Sequence, residues 1–430
     1  MLFYSTNGQS SKVSFEEAVL QGLASDKGLF FPVTIPKLPS SFFDSIEELS
    51  PAEIAFQVVS KFVGDEIPEE RLKQIVTETV DFPIPLIEVG NGIYSLELFH
   101  GPTLAFKDVG ARFMARTLRY FLEQKTKPAT ILVATSGDTG GAVASGFYDV
   151  EGINVVILYP SGKISSSQEK QLTTWGKNIY ALEVDGTFDD CQKLVKEAFS
   201  DSELKTKYGL TSANSINIAR LLPQSFYYFF AYQQLKNKQQ PIVISVPSGN
   251  LGNLTAGLIA WQMGLPVDRF VVASNRNDVV TKYLRTGLFE SEPSVLTVAN
   301  AMDVGNPSNF ARVLEIFDHN YEILKDKLIG YSFDDEEIKK CITGAYQKTG
   351  YTLDPHGACG YMALQQELRE SEVGIFLETA HPAKFSETVN ESLGKSVAIP
   401  DTLEIIIKKE KKSIQCEPTI GALKRCLKDL

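Results

Sequence analysis

At 430 residues the chain is too long for one compact core, and 43% hydrophobic with 22% charged residues is the balance of an ordinary folded protein. A net charge of -11 argues against a nucleic-acid partner, which needs a concentrated cationic surface, yet it is compatible with a local basic pocket for one phosphate. No apolar stretch reaches membrane-spanning length, and the five cysteines (191, 341, 359, 416, 426) include no C-x-x-C pair, so reduced thiols in a cytoplasmic protein are expected.

The start, Met1 to Thr6, has neither the basic nor the apolar part of a signal peptide. Ser14-Phe-Glu-Glu17 and Ser50-Pro-Ala-Glu53 both have capping-box spacing, and Pro51 suits a first helical position. A mainly helical region is therefore expected over 1–90, closed by the proline-spaced Phe82-Pro-Ile-Pro85. From Leu96 onward short apolar runs alternate with amphipathic segments. Strands are expected at 130–135, 153–159, 179–184, 242–246, 270–273 and 374–377, with helices such as 109–122, 189–199, 254–263 and 310–317. Near-continuous β-branched runs separated by helices imply parallel sheets covered on both faces. The fold class is thus α/β with two parallel-sheet lobes, 91–238 and 239–430, divided near the polar stretch 236–240. Their ligand site should lie between them at the carboxyl ends of strands.

Taken in chain order, the first segment with chemistry is His100-Gly-Pro-Thr-Leu-Ala-Phe-Lys-Asp-Val109. A lysine beside Phe106 and Ala105 can lose solvation and become a nucleophile toward an aldehyde, although Lys107 could equally be a surface lysine beside a helix-capping Asp108. Ala134-Thr-Ser-Gly-Asp-Thr-Gly-Gly141 offers hydroxyls at Ser136 and Thr139 and free amides for a carboxylate or phosphate. Asp138 is awkward there unless it faces a protonated partner or serves as an N-cap. Ala213-Asn-Ser-Ile-Asn-Ile-Ala-Arg220 gathers Asn214, Ser215, Asn217 and Arg220 at a helix start, either as a phosphate clamp or as a capped helix with Arg220 in solvent. Ser245-Val-Pro-Ser-Gly-Asn-Leu-Gly-Asn253 is a strand-to-helix turn in which Gly249 and Gly252 let amides converge on an anion, or else an ordinary turn. The remaining signals are Asp354-Pro-His-Gly357 and Glu378-Thr-Ala-His-Pro-Ala-Lys384. His356 and His381 lack metal-pair spacing and no H-E-x-x-H occurs, so no metal is expected.

In this order, and most specifically through Glu97-Leu-Phe-His-Gly-Pro-Thr-Leu-Ala-Phe-Lys-Asp108, these segments resemble the longer, microbial threonine synthases, which are fold-type-II pyridoxal-phosphate enzymes. The likeness runs from Val13-Ser-Phe-Glu-Glu-Ala-Val19 to His381-Pro-Ala-Lys-Phe385. It implies pyridoxal 5'-phosphate as cofactor, with Lys107 as its Schiff-base lysine. Gly249, Asn250, Leu251, Gly252 and Asn253 would hold the cofactor phosphate, and Thr379 would face the pyridine nitrogen. Asp138 would contact the ring hydroxyl. Ser136, Gly137 and Thr139 would receive the substrate carboxylate, and Asn214, Ser215 and Arg220 the substrate phosphate. The implied reaction converts O-phospho-L-homoserine and water to L-threonine and phosphate, in a monomer or homodimer. A serine or threonine dehydratase, which needs no second phosphate site, or a non-catalytic binder is the alternative. Met302-Asp-Val-Gly-Asn-Pro-Ser-Asn309 also matches the family but suggests no task.

Overall fold

The structure, a computed structural model, describes every residue except Gln124, Thr126, Lys127, Asn237, Asp429 and Leu430. Of the polar stretch expected to divide the lobes, Asn237 therefore lies outside the described residues. Near the start, β1 (Phe3–Ser5) and β2 (Phe30–Pro32) make an antiparallel pair that closes a helical N-terminal region. Its helices Phe15–Gln21 and Pro51–Val63 each begin with the expected capping box, from Ser14 and Ser50.

Next come the hairpin β3 (Leu86–Gly90) and β4 (Ile93–Glu97), then β5 (Ala129–Ala134), β6 (Ile153–Pro160), β7 (Ile179–Val184) and β8 (Leu210–Thr211). They are followed by β9 (Ile242–Pro247), β10 (Arg269–Ser274), β11 (Leu328–Ser332), β12 (Val373–Glu378) and the short β13 (Ile414–Cys416). One sheet has the order β13-β7-β6-β5-β8 and is parallel throughout. The other runs β11-β10-β9-β12-β4-β3 and is parallel except for β3. Every residue of β5, β9, β10 and β12 is buried, which is why these strands read as unbroken apolar runs.

Sheet membership crosses the boundaries at 91 and 239. β3 and β4 belong with the late strands β9 to β12, and β13 joins the early strands at β7. The physical reason is that β12 is central and needs a partner on both edges; β9 supplies one and β4 the other. No helix among the described residues is long and apolar enough to cross a membrane. Burial pushes the Cys191 thiol up to about 12, the behaviour of an inert core thiol.

Candidate active site

The loops that carry the expected chemistry all leave the carboxyl ends of β4, β5, β8, β9 and β12. Lys107 is the first residue of the helix Lys107–Leu122. The loop before it is zipped onto the end of β12. Phe106 N–H donates to Thr379 O at 2.9 Å, His381 N–H donates to Leu104 O at 3.0 Å, and Ala105 bridges Ala380. Tyr227 hydroxyl donates to Phe106 O. Asp108 does not cap the helix; its carboxylate accepts the Thr103 N–H and hydroxyl at 2.8 and 2.5 Å. This lacing holds Lys107 and Thr379 side by side. Lys107 is half-buried, and its amine has no hydrogen-bond acceptor among the described residues. Burial pushes its pKa from 10.5 to about 8; Asp138 opposes the shift, while Lys384 and Arg220 add to it. Such an amine is a usable nucleophile near neutral pH.

Asp138 begins the helix Asp138–Phe147 without capping it. Its carboxylate is paired with Lys384 at 2.7 Å, both side chains almost fully enclosed, and accepts from Gln168 Nε2 at 3.2 Å. Burial alone would raise the Asp138 pKa, but Lys384 and then Lys107 outweigh it and hold the carboxylate ionised well below its usual range. Of the two alternatives for Asp138, the cationic partner is the one found, and it is Lys384. It was not among the residues expected at the site, because nothing in His381-Pro-Ala-Lys-Phe385 marks a lysine as buried. Its ammonium also donates to Thr103 O at 2.9 Å, tying the Lys107 loop to the Asp138 turn.

That turn depends on Gly137, whose φ of 140° is one that residues with a Cβ rarely adopt and whose added Cβ would lie 2.5 Å from Gln168. Thr135 Oγ1 accepts the N–H groups of Gly137 and Gly140 at 3.0 and 2.9 Å. The hydroxyls of Ser136 and Thr139, both half-buried, have no intrachain partner among the described residues.

The glycine turn after β9 has a similar character. An added Cβ on Gly249 would sit 2.8 Å from Met302 Cα, so only glycine lets the 302 segment approach. Leu251 adopts a left-handed φ of 61° just before the helix Gly252–Gln262. Asn253 is turned inward, its Nδ2 donating to Pro247 O at 2.7 Å. The N–H groups from Gly249 to Asn253 find no acceptor among the described residues. They form a cradle of donors at the positive end of a helix, a setting for a phosphate.

Arg220 is 3% exposed, which rules out the solvated-face alternative. Nη1 donates to Ala213 O at 2.8 Å, whereas the buried Nε and the buried Asn214 Oδ1 have no partner. Burial pushes the Arg220 pKa down to about 10, and no carboxylate among the described residues is ion-paired with it. Asn217, by contrast, serves the fold: its Nδ2 donates to Val19 O and Ser212 O, and its Oδ1 caps the helix Ile218–Leu221. Ser215 Oγ accepts from Asn250 Nδ2 at 2.8 Å, so the 214–220 segment touches the glycine turn directly. The hydroxyl of Thr379, a residue 6% exposed, is also unpartnered. An unpaired amine, an empty-handed amide cradle and the unpartnered Arg220 Nε together suit a phosphorylated aldehyde and a second anion.

Comparisons with known proteins agree with this chemistry. Residues 72–378 match the family described as pyridoxal-phosphate dependent enzyme, residues 2–80 the threonine synthase N terminus, and residues 357–427 the threonine synthase C-terminal region. A threonine synthase of Escherichia coli is 47% identical over 94% of both chains. The crystal structure of threonine synthase from Escherichia coli superposes with a TM-score of 0.94 at 45% identity, covering all of both chains. A pyridoxal-phosphate-bound threonine synthase from Brucella melitensis gives 0.94 at 32% identity, covering 100% of this chain and 99% of its own. The chain therefore belongs to the threonine synthase family of pyridoxal-phosphate-dependent enzymes.

Proposed function

We propose that this threonine synthase takes O-phospho-L-homoserine and water to L-threonine and phosphate. One observation carries the choice of substrate: the loops at the strand ends that present Lys107 carry three separate sets of polar groups without intrachain partners among the described residues. A dehydratase substrate brings only a carboxylate, and the cofactor only one phosphate. The Ser136–Thr139 turn and the Gly249–Asn253 cradle suffice for those two anions. The Arg220 Nε, the Asn214 side chain and the Ser215 hydroxyl then remain for a substrate phosphate.

Lys107 would hold pyridoxal phosphate covalently through its amine, Gly249 to Asn253 would hold its phosphate, and the Thr379 hydroxyl would face the ring nitrogen. The bound cofactor supplies an electron sink for carbanionic character next to the amine-bearing carbon. Freed when the substrate amine takes its place, the Lys107 amine would take the α-proton, hand that proton on, and only then, neutral again, take one from the β-carbon. Asp138 is already committed to Lys384, so its part is to keep the charge around Lys107 balanced rather than to accept that proton. The Arg220 guanidinium stabilises negative charge on the departing phosphate, and water then adds at the β-carbon.

Purified protein supplied with pyridoxal phosphate and O-phospho-L-homoserine should release threonine and phosphate in equal amounts. Lys107→Ala should lower turnover by about a thousandfold or more. Phosphate without threonine would instead identify an elimination enzyme, and neither product would refute the substrate assignment.

A further inference from the structure

Arg312 lies in the helix Phe310–Ile316 and is fully buried. All its donors are used. Nε and Nη2 reach Phe30 O at 3.0 and 2.7 Å, Nη2 also reaches Ile216 O at 2.7 Å, and Nη1 reaches Ser215 O and Asn309 Oδ1 at 3.1 and 2.8 Å. No carboxylate among the described residues is ion-paired with it, and burial pushes its pKa only to about 9, so it stays charged. A strut needed only for the fold would cost less as a neutral side chain or as one half of an ion pair.

The second contact set shows what the guanidinium organises. By accepting from Arg312, Asn309 Oδ1 turns its Nδ2 toward Ser215 Oγ at 3.2 Å and Asn250 O at 3.0 Å. Ser215 Oγ accepts from Asn309 and from Asn250 Nδ2 together. Both lone pairs of that oxygen are then occupied, and its hydrogen is free to be donated to an anion. The N-terminal region, through Phe30, is fixed to the same point.

We propose that Arg312, acting through Asn309, is a positioning residue that sets affinity for the substrate's phosphate by joining the 215–216 segment, the cofactor-phosphate turn and the N-terminal region. This rests on the reading that Ser215 faces the substrate phosphate. It also gives Asn309, and with it the 302–309 segment, a task. Holding two phosphate-binding segments to one another makes each more rigid before either anion arrives.

The test uses the holoenzyme and the variants Arg312→Lys and Asn309→Ala. Lysine keeps the charge but has too few donors for these acceptors. Both variants should raise KM for O-phospho-L-homoserine roughly tenfold to a hundredfold while kcat changes less than about threefold. Inhibition by inorganic phosphate should weaken by a similar factor, with bound cofactor, read by its absorbance, retained. An unchanged KM and unchanged phosphate inhibition would overturn the proposal, as would a fall in kcat and melting temperature alone. If Arg312→Lys does not fold, Asn309→Ala decides. If the native protein makes no threonine from this substrate, thermal stabilisation by inorganic phosphate, present in the native protein and lost in Asn309→Ala, still decides the positioning role.

Discussion

The two ends of the strands treat buried arginine in opposite ways. At the amino end, Arg269 opens β10 and meets Glu372 through two contacts of 2.8 Å, Glu367 at 2.8 Å and Asp268 at 2.9 Å. Hydrogen bonding to Glu372 leads the causes that raise its pKa. At the carboxyl end, Arg220 and Arg312 are as deeply buried but have no carboxylate partner among the described residues, and burial lowers both. The amino end is electrically finished by the fold. Among the described residues Arg220 and Arg312 form no ion pair at the carboxyl end, whereas Lys384 is paired there with Asp138. Arg269 comes with its acids, Arg220 keeps an unpartnered Nε for a ligand, and Arg312 is satisfied by carbonyl and amide oxygens alone.

This contrast can be broken by substitution. Arg269→Met leaves Glu372 buried without its cation and should cost about 3–5 kcal/mol in urea unfolding, with KM unchanged. A shift in KM would show that the amino end is not purely structural. Arg220→Gln should do the reverse. We expect kcat/KM for O-phospho-L-homoserine to fall about a hundredfold, near 2.7 kcal/mol, with the unfolding midpoint held or raised, since an uncompensated buried cation is removed. The smallest effect is on protonation. With a pKa of about 8, roughly one Lys107 in ten is neutral at pH 7, against about one in 3,000 for an ordinary lysine. Acylation of Lys107 in cofactor-free protein should therefore rise with pH and level off near 8 rather than above 10. In Arg220→Gln, where a cation that lowers this pKa is gone, the levelling should move upward. No movement would mean that Arg220 does not act on the amine.

Much of the fold was legible because the decisive strands are buried on both faces: the runs expected at 153–159, 179–184, 242–246 and 374–377 fall within β6, β7, β9 and β12. The Ser14 and Ser50 capping boxes were equally local signals. β3 and β13 went unnoticed because they are half-exposed edge strands with no unbroken apolar run. β4, the five residues Ile93–Glu97, was likewise not among the expected strands. At the site, the glycine turns and Lys107 could be singled out by residue type and by resemblance. The roles of Lys384, Arg312 and Asn309 could not, since they arise from neighbours distant in the chain, such as Thr103 for Lys384, Phe30 for Arg312 and Ser215 for Asn309. Burial of a charge is a property of the assembled interior, and no spacing rule encodes it.

The pairing of β4 with β12 has a consequence for how the molecule is made. Ile93 meets Gly374 across a parallel ladder, so an early strand must wait for one synthesised nearly at the end. At ordinary translation rates that interval is on the order of tens of seconds. The hairpin of β3 and β4 therefore leaves the ribosome with one edge open, whereas β5, β6 and β7 can pair as they emerge. Maturation of the lobe that carries the amide cradle is consequently delayed until β12 has been made. A nascent chain halted before residue 373 should be protease-resistant only around the earlier sheet and should have no stable seat for Lys107.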